Sequence, residues 1–178
     1  YGNIGRAIAR RALAFNMKVM ALTQTPRPLE PEPHFLGGYD DLPKFLSEID
    51  FLVICCPLSD QTRSIIGETQ LAAMKSSAVV INVARGHIAD EDALYAALKN
   101  NVIGGGILDT WYQYPSADNP AVRPSRQPYH ELDNVPMTPH ISGWSEGQQQ
   151  RRWAKTGDNI EALLTGGELI NVIRPAAS

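Results

Sequence analysis

The sequence has little cysteine. Cys55 and Cys56 are the only two in 178 residues, and they are adjacent. Adjacent cysteines do not close the loops of a disulfide framework, which excludes a small cross-linked secreted scaffold. At the end of an apolar run they read as small buried residues of a reducing compartment, and cytoplasm is the expected location. There is no basic excess: 16 Lys and Arg stand against 19 Asp and Glu, a net charge of −3. That balance lacks the electrostatic footprint of a nucleic-acid binder. No apolar run approaches the length of a membrane span. No secretory signal is visible from Tyr1 onward, no internal repeat is visible, and no metal site is expected.

What is present is an alternation of short apolar runs and helical patterns. Behind Gly2 and Gly5, the residues Ile4, Ile8, Ala12 and Phe15 recur at helical spacing. Lys18 to Leu22 reads as a strand. Residues 26–38 hold four prolines and two glycines and read as loop. Short helices are expected over YDDLPKFLSEID and ETQLAAMK, and strands over FLVICCPL, AVVINVA and VIGGGILDTW. A helix over DEDALYAALKNN carries acids in its first turn, where the helix dipole favours them. A last helix is expected from about Glu146 to Leu164. Strands alternating with helices predict an α/β fold around a mostly parallel sheet. Strands without polar alternation predict helices on both faces of that sheet. Residues 112–134 lack periodicity, and so long an irregular segment is usually functional or disordered.

Gly2-Asn3-Ile4-Gly5 at a helix start has the form of the end of a phosphate-binding glycine loop. Glycine lets backbone approach a pyrophosphate, and the helix N-terminus supplies unpaired N–H groups. The alternative is a plain turn before a helix. In a dinucleotide fold the next strand ends in an acid that holds the adenine ribose. Here that place falls near Thr23, followed by Gln24 and Thr25, with Arg27 close by. No carboxylate repels a 2′-phosphate there, so the lean is to NADP over NAD.

VINVARGHIADEDAL, residues 80–94, resembles the third signature of the D-isomer-specific 2-hydroxyacid dehydrogenases through Asn82, Ala84, Arg85, Gly86 and Asp90. FLSEIDFLVICCPLSDQTRSIIG is similar to that family's second signature, with Thr62 five residues after Pro57. MTPHISG is similar to its terminal Thr-Pro-His block, and the front glycines to its Gly-x-Gly-x-Ile-Gly loop. The resemblance runs from Tyr1 to about Ile173.

It implies a doubly wound, Rossmann-like parallel sheet, incomplete at the N-terminus, over residues 1–145. Residues 146–178 would be a C-terminal helix and tail that pack toward a substrate domain. It implies hydride transfer between NAD or NADP and the C2 of a small 2-hydroxy or 2-oxo acid, in a homodimer with no nucleic-acid or membrane partner. Arg85 would grip the carboxylate and carbonyl oxygens of the acid in a fork, and His140 would be the acid/base. Cofactor contacts would come from Gly2, Asn3, Ile4, Gly5, Thr23, Gln24, Thr25, Arg27, Cys56, Pro57, Thr62, Val83, Ala84, Arg85, Asp109, His140, Ser142 and Gly143. Asp109 would hold the nicotinamide carboxamide, Cys56 and Pro57 would line the adenosine side, and the Thr62 hydroxyl would touch the cofactor. His34, His87 and His130 match no motif, although His130 lies where it could approach a substrate.

Two departures stand out. The family's glutamate that partners the histidine is replaced by Tyr114, in DTWYQYP, with Pro115 in the family proline's place. A tyrosine hydroxyl does not supply a carboxylate's charge. Gln113, one residue off register, or a loop carboxylate such as Asp118 or Glu131, would substitute; otherwise the site is weak. Trp111, Tyr112, Tyr114, Tyr129 and Trp144 would build an apolar pocket wall, or simply pack the loop. The second departure is at the front, where the family's first sheet strand and most of its substrate domain have no counterpart. Strand edges should then stand unpaired, and the 178 residues alone should be poorly stable and inactive. A formate- or phosphite-dehydrogenase-like enzyme and a cofactor-sensing, corepressor-like protein are the alternatives.

Overall fold

The computed structural model describes residues 1–24 and 30–172. The chain divides into two compact units, Tyr1–Ser142 and Gly143–Ser178.

The first unit alternates helix and strand. Its helices are α1 (Asn3–Ala14), α2 (Leu42–Glu48), α3 (Glu68–Ala72) and α4 (Glu91–Lys99). Strand β1 (Met20–Leu22) pairs in parallel with β2 (Phe35–Gly37). Strands β3 (Phe51–Ile54), β4 (Val79–Asn82) and β5 (Gly105–Leu108) form a second parallel sheet in that order. The α/β class and the parallel pairing follow the sequence pattern.

The strand β2 does not. Residues 26–38 read as loop because prolines and glycines dominate them. Phe35 to Gly37 nevertheless ladder against β1, and the His34 N–H to Val19 carbonyl and Thr23 N–H to Gly37 carbonyl bonds extend the pairing at both ends. Three residues are too few for a period to declare itself.

One face of the larger sheet makes the core. In register, Leu52, Val80 and Gly106, then Ile54, Asn82 and Leu108, turn inward. They meet Leu46 of α2, Leu71 of α3, and Leu94 and Leu98 of α4, all essentially buried. The opposite face is only partly covered: Phe51 is 50% exposed and Ile107 41%. Helix cover is expected over both faces; on this one α1 lies across a cavity from Val53 and Ile81 and leaves it incomplete.

Among the described residues the two sheets share no ladder. Among those same residues, strand β1 pairs only with β2, and β3 only with β4, so each keeps a free edge. Both edges border an apolar cavity of about 660 Å³, which Ile8, Ala9 and Ala12 of α1 close from one side. These are the unpaired edges that the sequence predicts. On α1 the apolar spacing is only half used, since Ile4 and Phe15 remain largely exposed.

In the second unit, α5 (Gln148–Thr165) starts after Gly147 and stops before Gly166, both left-handed. Asn159 clasps the tail by accepting the Ile170 N–H and donating to its carbonyl. No helix among the described residues is long and apolar enough to cross a membrane.

Candidate active site

Parallel register gathers the strand ends. Ile54, Asn82 and Leu108 are direct ladder partners. The residues that follow them, Cys55 to Pro57, Val83 to Arg85, and Asp109, therefore emerge in a row on one edge of the sheet. In an open parallel sheet that edge is where ligands bind.

Asn82 shapes the middle of the row. It is buried, accepts the Ala84 N–H at 3.0 Å and donates to the Arg85 carbonyl at 2.9 Å. This folds Val83 and Ala84 into a tight turn and leaves Arg85 extended (φ −147°, ψ 140°) with its side chain exposed. The guanidinium donates to the Ala84 carbonyl at 2.6 Å and forms no salt bridge with the described residues. It remains available to an anion. Gly86 next to it is required by close approach: a Cβ there would lie 2.6 Å from the backbone of Trp111.

Asp109 builds the histidine loop. Its carboxylate accepts the Thr138 hydroxyl at 2.6 Å, the Ile141 N–H at 2.8 Å, and both the N–H and the hydroxyl of Ser142. Burial alone would push this carboxyl up, but these hydrogen bonds outweigh it and hold the pKa at about 2. The carboxylate is thus ionised and anchors both sides of His140, whose backbone is left-handed at φ 59°. That backbone is unusual for a residue other than glycine. This role of Asp109 is separate from the nicotinamide contact expected of it. Ser142 likewise faces Asp109, and Gly143 opens the second unit.

An aromatic group flanks the histidine. The ring of Tyr114 lies 5.5 Å from that of His140. The Tyr114 hydroxyl accepts the Trp111 N–H at 2.9 Å, and the Trp111 indole donates to the Thr138 carbonyl at 3.0 Å. Trp111, Tyr114, Tyr129 and Met137 border a cavity of about 750 Å³, with Arg123 and His130 also in its wall. Tyr112 is buried instead, stacked on Tyr129 and edge-on to His87. Its hydroxyl is held protonated by burial, which pushes its pKa up. Of the groups expected to replace the glutamate, neither Gln113, Asp118 nor Glu131 hydrogen-bonds His140 among the described residues. His34 is occupied elsewhere, accepting the Val19 N–H.

The long segment is pinned, not loose. The N–H groups of Tyr112 and Gln113 both reach the Pro124 carbonyl. Beyond it, Ser125 and Arg126 bind the buried carboxylate of Glu91, and Gln127 and Arg126 bind Asp92. The Tyr129 hydroxyl donates to the Glu91 carbonyl at 2.8 Å. Glu91 reads from the sequence as a helix-dipole acid only. The role of its carboxylate as an anchor depends on a partner 35 residues away.

At the front of the chain, Gly2 is the N-cap of α1, with no side-chain cap and no acid in the first turn. A Cβ at Gly2 would meet nothing within 4 Å, whereas one at Gly5 would lie 3.3 Å from Cys55 Sγ. The start of α1, with Asn3 and Ile4 exposed, therefore lies against the end of β3. Thr23 follows β1, and Gln24 donates to Gln61 at 3.0 Å, tying that strand end to the turn after Pro57. Burial raises the pKa of both Cys55 and Cys56, so they stay thiols. Thr62, whose hydroxyl is expected to touch the cofactor, is buried. Its hydroxyl donates to the Pro57 carbonyl at 2.7 Å and accepts the Ser59 N–H at 2.8 Å, which closes the 57–62 turn. Thr25 and Arg27 lie outside the described residues.

The sequence pattern of the D-isomer specific 2-hydroxyacid dehydrogenase NAD binding domain matches residues 1–142. Over 99% of its length the chain is 38% identical to the glyoxylate/hydroxypyruvate reductase B of Salmonella gallinarum, of which it covers 52%. It thus spans about half the length of the curated relatives it matches. Among solved structures it superposes with a TM-score of 0.84 on a D-isomer specific 2-hydroxyacid dehydrogenase from Xanthobacter autotrophicus in complex with NADPH and MES. That match is at 30% identity and covers 98% of this chain and 68% of that one. The D-lactate dehydrogenase of Lactobacillus jensenii, solved with NAD+, gives a TM-score of 0.82 at 28% identity, covering 98% of this chain and 53% of that one. With the strand-end row, the glycine-led helix and the histidine loop in place, the chain belongs to the D-isomer-specific 2-hydroxyacid dehydrogenases, as a member of their NAD-binding domain family.

Proposed function

We propose that the protein carrying this chain is an NAD(P)-dependent oxidoreductase acting on a small 2-oxo or 2-hydroxy acid. The observation that carries this reading is the shared edge: Arg85 leaves β4 as an exposed, extended cation, and β5 ends in the aspartate that holds the His140 loop. The fork of Arg85 binds the substrate carboxylate. His140 gives a proton to the C2 oxygen in reduction and takes it back in oxidation. Nicotinamide, when bound, supplies the hydride, so that 2-oxo acid, NAD(P)H and a proton become 2-hydroxy acid and NAD(P)+.

The residues present fit such a cofactor. The uncapped, acid-free start of α1 offers its N–H groups and Arg6 to a pyrophosphate. Asn3, Ile4, Gly5, Cys56 and Pro57 border that side, and Val83 and Ala84 the turn beside Arg85. Thr23 and Gln24 place no carboxylate at the end of β1, which supports NADPH over NADH. The cavity beside Tyr114 gives the side chain of the acid somewhere to go. Cytoplasmic location and a homodimer belong to the same reading. Residues 143–178 would serve the substrate half.

Initial rates with NADPH and NADH against glyoxylate, hydroxypyruvate, pyruvate and phenylpyruvate test it. Turnover abolished by both Arg85→Gln and His140→Gln, with dinucleotide binding kept, is the expected result. Tight dinucleotide binding without turnover on any of the four acids would sink the reading and favour a sensor.

A further inference from the structure

His140 is touched by a ring, not by an acid. Its imidazole lies 5.5 Å from the Tyr114 ring at a tilt of 47°. Tyr114 is itself fixed, because its hydroxyl accepts the Trp111 backbone N–H at 2.9 Å. Trp111 is fixed in turn, since its indole donates at 3.0 Å to the carbonyl of Thr138, two residues before His140. A closed circuit results: Trp111 amide, Tyr114 hydroxyl, Tyr114 ring, His140, Thr138 carbonyl, Trp111 indole. Asp109 holds the same loop from beneath, at Thr138, Ile141 and Ser142.

We propose that Tyr114 is the positioning residue for His140, its ring setting the imidazole plane by contact and its hydroxyl, held by Trp111, setting the ring. This rests on His140 being the acid/base.

The physics differs from that of an ion pair. An aromatic face carries the negative end of a quadrupole and attracts a cation such as imidazolium. It has no lone pair in the plane of the imidazole N–H, so it does not select a tautomer as a carboxylate does. It orients the imidazole by packing and leaves the ring nitrogens to substrate and solvent. A carboxylate in the same place would also favour the charged form of the histidine. Tyr114 separates these two effects, keeping orientation without the charge.

Three variants of the intact protein test this, read by the ring resonances of His140 and by kinetics. Tyr114→Phe keeps the ring but frees it from Trp111, so the ring-current displacement of the His140 signals and kcat both fall between those of the parent and of Tyr114→Leu. Tyr114→Leu moves those signals toward their free-peptide positions. It lowers kcat roughly ten- to a hundredfold, with KM changed less than about threefold. Tyr114→Glu carries the alkaline limb of the reductive pH–rate profile about one unit higher. Unmoved His140 signals and kcat in Tyr114→Leu, or an unmoved pH profile in Tyr114→Glu, would overturn the proposal. Turnover surviving His140→Gln would overturn the acid/base reading on which it rests, while the resonances would still report the ring contact, so the two failures are distinguishable.

Discussion

Arg126 holds both oxygens of Glu91. Its backbone N–H reaches Oε1 at 2.7 Å and its guanidinium Nε reaches Oε2 at 2.8 Å. The carboxylate is almost buried and the guanidinium side chain is 62% exposed, so the pair sits at a boundary between core and water. It joins the first turn of α4 to the segment that leads back, through Pro124, to Tyr112 and Gln113.

Glu91→Gln places an amide NH2 against a donor and should destabilise the first unit by about 1–3 kcal/mol. Screening at the exposed guanidinium keeps the loss toward the lower end. Burial raises the Glu91 pKa, but the Ser125 and Arg126 hydrogen bonds overcome it and leave it below its usual 4.5. A lowered pKa means that this stabilisation is full above the usual value and fades as the pH falls below it. A urea titration at pH 7 with limited proteolysis across residues 116–127 checks this: equal midpoints and equal nicking rates would refute it.

Asp109→Asn should loosen the His140 loop. The parent carboxyl is lowered from 3.8 to about 2, so its contribution is complete above about pH 4 and lost as the pH falls toward 2. The shift corresponds to something on the order of 2 kcal/mol. Melting both proteins from pH 7 down to pH 2 should show a gap that is constant at first and then closes. A gap independent of pH would mean that shape, not charge, is what Asp109 supplies.

Gly86→Ala and Gly2→Ala make a contrasting pair. At Gly86 the new methyl would press on the Trp111 backbone at 2.6 Å. Backbone has no rotamer with which to yield, so a loss of about 1–3 kcal/mol is expected. At Gly2 nothing lies within 4 Å, so stability should hardly change while dinucleotide affinity falls. Calorimetric melts and dinucleotide titrations separate the two; a Gly2 variant with unchanged affinity would remove the phosphate-loop reading.

Thr62→Val keeps shape but removes the hydroxyl that both donates to Pro57 and accepts from Ser59. A loss of about 1–3 kcal/mol in stability is expected. The folded variant should bind dinucleotide within about threefold of the parent, because that hydroxyl points inward. A large affinity loss at unchanged stability would assign this hydroxyl the cofactor contact expected from the sequence.

The sequence made the helices and the longer strands legible because apolar runs such as VVIN are long enough to show their character. It did not show β2, since the Phe35–Gly37 ladder is a tertiary fact set by β1. It placed Arg85 and His140 through motifs, and the structure puts them on the elements those motifs imply. Pairings across long separations were invisible: Glu91 with Arg126, Asp109 with the 138–142 loop, and Tyr114 with His140 all depend on where the 112–134 segment runs. For Tyr114 the sequence revealed only which group was lost, and the fold adds the contact of its ring with His140.

The free edges of β1 and β3 have a consequence for cooperativity. An extended segment entering between them could form two parallel ladders, one on each side. Once the first ladder is in register, the second requires almost no further ordering of chain, because its partner already lines the same cavity. A strand pairing with one edge alone would gain a single ladder and leave the other half of the slot unfilled. A segment laddered on both edges would couple the helix that starts at Asn3 to the strand end that precedes Arg85.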